Sequence, residues 1–121
     1  MTHFLIVTSN EHEFLKFTDA LTRENSVETS LAASSKEVLD VISGVIPDLV
    51  VIDEEVDGTS GLEIARSILM KNAMVNQALV SRLSPDEFHE ASEGLGILVQ
   101  LPPAPDAAQA KSLVALLKKM P

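Results

Sequence analysis

The chain has 121 residues, a length that closes one hydrophobic core, so residues 1–121 are expected to form one domain. Eighteen acidic against nine basic side chains leave a formal charge of -9, and neither Trp nor Tyr is present, which disfavours nucleic-acid backbones and base stacking alike. Zero cysteines exclude disulfides and thiolate chemistry; with no apolar run near the ~18 residues of a membrane helix and no basic leader in MTHFLIVTSN, the expectation is a cytoplasmic protein that makes no membrane contact.

In chain order, His3 to Thr8 (HFLIVT) reads as a short aliphatic strand. Ser9 or Asn10 then offers an N-cap to a helix running to about Asn25, with Phe14, Phe17 and Leu21 on one face. A weaker strand follows near Val27 to Leu31. Ser34 or Ser35 caps a second helix whose Val38, Val41, Ile42 and Val45 repeat at three and four, and Pro47 closes it. DLVVID, Asp48 to Asp53, is the most strand-like run of the chain. LEIARSILMKN after Ser60 and Gly61 is a third helix, and QALVS a fourth strand. SPDE at Ser84 to Glu87 starts a short fourth helix ending near Gly94, with a cap, a first-turn proline and a glutamate three residues on. GILVQL is the fifth strand, PPAP a rigid turn, and DAAQAKSLVALLKKM a last helix with Ala110, Leu113, Val114 and Leu117 inward and its lysines at the end the helix dipole favours.

Strands that alternate with helices in one small chain require a parallel sheet covered on both faces, because parallel strands need crossovers. The third and fifth strand runs, aliphatic without alternation, suit positions buried on both sides. The expected fold is therefore α/β, a flavodoxin-like (βα)5 doubly wound sheet with strand order 2-1-3-4-5. In such a sheet the ligand crevice lies beyond the carboxyl ends of the strands at the switch point. Here that brings together Thr8, Ser9 and Asn10 from the first strand and Asp53, Glu54 and Glu55 from the third. Ser81 and Arg82 come from the fourth, and Leu101 and Pro102 from the fifth. No glycine follows the first strand in VTSNEHEF, so a flavin or dinucleotide phosphate loop is absent, and no nucleophile–base pair is legible.

Across its whole length the sequence resembles the receiver domains of two-component response regulators. The resemblance rests on PDLVVID ending in an aspartate, on GTSGLE shortly after it, on a hydroxyl residue closing strand four and on GLGILVQLP near the end. It implies that Asp53 is the position that accepts a phosphoryl group from a histidine kinase. Ser81 would be the hydroxyl that contacts that group, and Leu98 would fall where many members carry a switching aromatic ring. It also implies an Mg²⁺ site, to which Asp53 and Glu55 would contribute, and a cis bond at Leu101–Pro102.

Three positions depart from the family. Thr8 and Ser9 stand where an acidic pair holds Mg²⁺, and Leu101 stands where a lysine neutralises phosphoryl oxygens. Phosphoryl transfer is mainly positioning and charge neutralisation, so these losses act on one step, and Mg²⁺ is expected to bind weakly or not at all. Arg82 is a candidate internal counter-ion for Asp53, Glu54 or Glu55, against its reading as a solvated loop arginine; a carboxylate of Glu11 or Glu13 is a weaker substitute for the missing pair. His3, His12 and His89 show no metal-ligand spacing. The expectation is a non-enzymatic interaction module in phosphorelay signalling. Its protein partner, a kinase, another signalling protein or a second copy of the chain, would contact the fourth helix, fifth strand and fifth helix, with Leu98, Phe88 and Ile97 as apolar contacts. The alternative is a working phosphoacceptor with an altered metal site.

Overall fold

The computed structural model describes residues 2–24 and 26–120. Its elements are β1 (Thr2–Val7), a short 3-10 helix (Glu11–Phe14) running into α1 (Leu15–Thr22), β2 (Val27–Ala32), α2 (Ser35–Gly44) and β3 (Leu49–Ile52). A hairpin of β4 (Glu55–Val56) and β5 (Thr59–Ser60) precedes α3 (Gly61–Lys71), followed by β6 (Gln77–Val80), α4 (Pro85–Ala91), β7 (Val99–Leu101) and α5 (Ala107–Lys119). The main sheet has the order β2-β1-β3-β6-β7, every pair parallel. With the hairpin set aside, this is the expected 2-1-3-4-5.

The aliphatic runs explain the layering. Along β1 and β3 successive side chains point to opposite faces, and both faces are covered. Leu5, Val7, Val50 and Ile52 pack beneath α2, α3 and Phe88 of α4. Phe4, Ile6, Leu49 and Val51 pack beneath α1 and α5, joined by Phe14, Phe17, Leu113 and Val114. Four helix starts carry the caps that the sequence spells. Ser34 accepts from Glu37, Ser60 from Glu63 and Ser84 from Glu87, while Asp106 closes a capping box with Gln109.

The differences are local. Asn10 places no side-chain cap on the first helix, which opens as 3-10 turns; its backbone N–H is instead drawn 2.9 Å onto Thr8 Oγ1. That helix stops at Thr22, and Asn25, its expected end, lies outside the described residues. The fifth strand starts at Val99 rather than Gly96, because Gly94 and Gly96 take left-handed φ values of 83° and 67° and turn the chain before it can pair. No peptide bond among the described residues is cis, so the Leu101–Pro102 bond is trans. The reversal after β7 is made instead at Ala104, whose φ is 50°. The alignment of Leu101 with a lysine thereby loses one support.

Candidate functional site

Strand register sets the site. Val7 pairs with Ile52, and the Asp53 N–H donates to Val7 O at 2.9 Å, so the residues that follow β1 and β3 leave the sheet side by side. Thr8, buried with 3% of its surface exposed, then donates its hydroxyl to Asp53 Oδ2 at 2.7 Å. The other carboxylate oxygen, Oδ1, accepts the Glu54 N–H at 2.8 Å. Both oxygens of this half-buried aspartate are thus held by neutral donors. Ser9, exposed, accepts the Asp57 N–H at 3.2 Å and ties the end of β1 to the β4–β5 hairpin.

That hairpin is the element the sequence reading lacks. Asp57 and Gly58 take φ values of 51° and 81°, the pair of left-handed residues that a type I′ turn requires, and the Asp-Gly dipeptide is the signal that announces it. The hairpin delivers the chain to Gly61, the first residue of α3. A Cβ there would collide with the Asp53 carbonyl oxygen and come within 2.6 Å of Leu79 Cδ1, so only glycine lets α3 start this close to Asp53.

The fourth strand's contribution is turned differently. Ser81 is buried, its N–H donates to Leu101 O at 3.0 Å, and its hydroxyl accepts the Leu83 N–H at 3.1 Å within its own loop. Arg82 pairs with a carboxylate, as the counter-ion reading requires, and the partner is Glu54: its N–H donates to Glu54 Oε2 at 2.7 Å and its Nε to Oε1 at 3.2 Å. The side chains are 69% and 38% exposed, which places the ion pair itself at about 0–1 kcal/mol. Its structural effect is larger than its energy, because it fastens the β6–α4 loop to the end of β3. Glu54, one of three carboxylates that the sequence offers to Arg82, is the one that the loop geometry selects.

A cleft of about 300 Å³ opens between these loops, lined by Asn10, Glu13, Asp53, Glu54, Glu55, Arg82 and the Pro103–Ala104 turn. Glu13 of the first helix does reach it, whereas Leu101 does not line it and is buried in the core on the α5 side. Among the described residues no group of three or more His, Asp or Glu side chains is disposed to hold a metal ion. A divalent cation fits this donor set poorly: Asp53 is already bonded at both oxygens, Glu54 is committed to Arg82, and hydroxyls stand at Thr8 and Ser9. Leu98 precedes β7, half-buried against the α5-side core. Phe88 and Ile97, offered above as apolar contacts, pack into the opposite core cluster, Phe88 with 8% of its surface exposed.

No protein-family model matches the sequence, and no curated protein matches it. Solved structures do. A two-component response regulator from Clostridium difficile superposes with a TM-score of 0.83 at 14% identity, over 98% of this chain and 97% of that one. One from Legionella pneumophila gives 0.83 at 18% identity over 99% and 100%. The chemotaxis response regulator CheY4 of Vibrio cholerae gives 0.82 at 14% over 97% and 98%. The fold is that of a receiver domain. On this receiver fold Asp53 occupies the carboxyl end of the central strand, at the switch point between β1 and β3. The receiver fold fixes where a site would be, and the side chains at it decide its chemistry.

Proposed function

We propose that this chain is an atypical receiver module of two-component signalling, one that transmits through protein contact and not through phosphoryl transfer at Asp53. The observation that carries the reading is the state of Asp53: Thr8 and Glu54 N–H hold its two oxygens, while the cleft's one basic side chain, Arg82, is drawn to Glu54. A phosphoryl group brings negative charge to a cleft that already has Glu13, Glu54 and Glu55 on its walls. Neutralisation of the equatorial oxygens is the main service that a protein gives to this reaction. With hydroxyls at Thr8 and Ser9 and no lysine among the residues that line the cleft, that service is missing, and so is an acidic anchor for Mg²⁺ at the end of β1.

In this reading the module is a binding protein and not an enzyme, it works in the cytoplasm, and Mg²⁺ binds it weakly or not at all. Its partner is a kinase, a downstream signalling protein or a second copy of the chain, met by the face that α4, β7 and α5 share; the net charge of -9 disfavours nucleic acid as a direct target. No helix among the described residues is long and apolar enough to cross a membrane.

The test is incubation with acetyl phosphate and Mg²⁺ followed by intact mass measurement. The expected result is no gain of a phosphoryl group. A gain that disappears in Asp53→Ala would establish the alternative, a working acceptor with an altered metal site.

A further inference from the structure

The end of the sheet opposite the Asp53 cleft carries an apolar patch. The α2–β3 loop leaves Val45 and Ile46 74% and 47% exposed, and the end of α3 and the turn after it leave Met70 and Met74 82% and 85% exposed. Sheet order makes the two stretches neighbours. β3 pairs with β6, Asn76 Nδ2 donates to Asp48 O at 3.3 Å, and the Val50 N–H donates to Asn76 O at 2.9 Å. Single apolar residues scattered over a surface need no explanation, but four on two adjoining stretches do. Each stretch also carries one charge at its border. Asp48 follows the first, its Oδ2 held at 2.7 Å by the His3 N–H. Lys71 stands in the last turn of α3 and enters no ion pair among the described residues.

We infer that this patch is a self-complementary docking surface for a second copy of the chain. The charges select the occupant. A two-fold axis through the patch lays Val45 and Ile46 of each copy on Met70 and Met74 of the other and sets Asp48 against Lys71 twice, the reciprocity that an isologous contact requires. Methionine, unbranched and polarizable, adapts to such a contact. A surface on which each copy brings one acid and one base also suits a chain whose net charge of -9 resists its own approach. The five residue steps from Asp48 to Asp53 span about 16 Å, roughly twice the ~8 Å Debye length at physiological salt. The acidic clefts of the two copies are therefore screened from each other. A specific interface of ordinary size takes about 800 Å² from each partner, more than four side chains supply, so the dimer is weak and reversible. With the second copy seated here, the face that α4, β7 and α5 share is left to a kinase or a downstream signalling protein.

The experiment is sedimentation velocity on the intact chain over roughly 10 μM to 1 mM, with methyl NMR on the same samples. The average mass should rise towards that of two chains, and the methyl resonances of Val45, Ile46, Met70 and Met74 should move with dilution while those of Leu98 stay fixed. Met70→Glu and Met74→Glu, at positions exposed enough to leave the fold intact, should each weaken association about tenfold by setting a carboxylate in the apolar contact. Lys71→Asp should weaken it by a similar factor, and adding Asp48→Lys to that variant should restore it, a recovery that a purely apolar contact would not show. If Asp48→Lys fails to fold for want of its His3 contact, the methionine variants decide. A chain that stays monomeric at about 1 mM overturns the proposal and leaves the patch to another occupant. A dimer that the methionine variants do not weaken, or whose dilution shifts fall on Leu98, overturns it as well, because that dimer forms elsewhere. None of these readouts depends on whether Asp53 is phosphorylated.

Discussion

Thr8 gives its hydroxyl proton to Asp53 Oδ2 across the seam between β1 and β3, at 2.7 Å. A buried hydroxyl at the end of β1 thus gives this carboxylate a neutral partner.

Thr8→Val keeps the shape and β-branching of the side chain while removing the donor to Asp53 and the acceptor for the Asn10 N–H. A hydrogen bond to a charged group contributes about 1.5–3 kcal/mol. Asp53 is only half-buried, and water can replace part of what is lost, so the expected destabilisation is about 1 kcal/mol. Urea unfolding with an unchanged m-value is the measurement.

Installing the acidic pair should create what the native cleft lacks. Thr8→Asp with Ser9→Asp sets two new carboxylates beside Asp53, and without metal their mutual repulsion should lower the melting temperature. Millimolar Mg²⁺ should then raise it, by about 2.7 kcal/mol equivalent if the ion reaches 100 times its Kd. The wild type should show no comparable rise in the same titration. Equal responses of the two proteins would mean that the native side chains already hold the ion.

The sheet and its covering helices were legible because their signals are redundant. LVVI could only be a strand buried on both faces, and Ser34, Ser60, Ser84 and Asp106 each stand three residues before a Glu or Gln. What escaped were single-residue decisions. The Asp57-Gly58 turn is written in the sequence, but its strands are two residues long and carry no alternation to find. The resemblance implies a cis bond at Leu101–Pro102, whereas that bond is trans and the chain reverses at Ala104. Arg82 is legible as a candidate counter-ion beside its reading as a solvated loop arginine, but a choice among three adjacent carboxylates depends on loop geometry that periodicity does not encode.

Gly61→Ala should be among the most damaging small substitutions in the chain. The added methyl meets the Asp53 carbonyl oxygen and Leu79, and neither a backbone oxygen nor a core leucine yields freely. Overpacking of this kind costs about 1–3 kcal/mol. Denaturant unfolding measures the loss, and shifted Asp53 and Glu54 amide resonances would place the strain at the cleft. An alanine variant as stable as wild type, with those resonances unmoved, would remove the steric account of why α3 begins with glycine.

Strong acid should loosen the start of α4. The hydrogen bonds that Glu87 receives from the Ser84 backbone and side chain hold its carboxyl below the ordinary glutamate value. A depressed folded pKa means stabilisation that is present above the unfolded pKa and lost as pH falls through the folded one. Between neutrality and mild acid the start of α4 should hold; at pH below the usual carboxylate range its capping box should open. Hydrogen exchange at Phe88 and His89, followed against pH, checks this. In Glu87→Gln the same amides should lose this titration.

Seven residues long, with Phe88 as its buried side chain, α4 is moored to the sheet by one ring. Detaching it exposes little apolar area, so its free energy of local opening is a small part of the cost of melting the domain. A partner that must reshape this surface in order to bind meets its lowest thermodynamic barrier at that helix. The α4 flank can therefore open and close through small changes around one phenylalanine while the central strands stay closed.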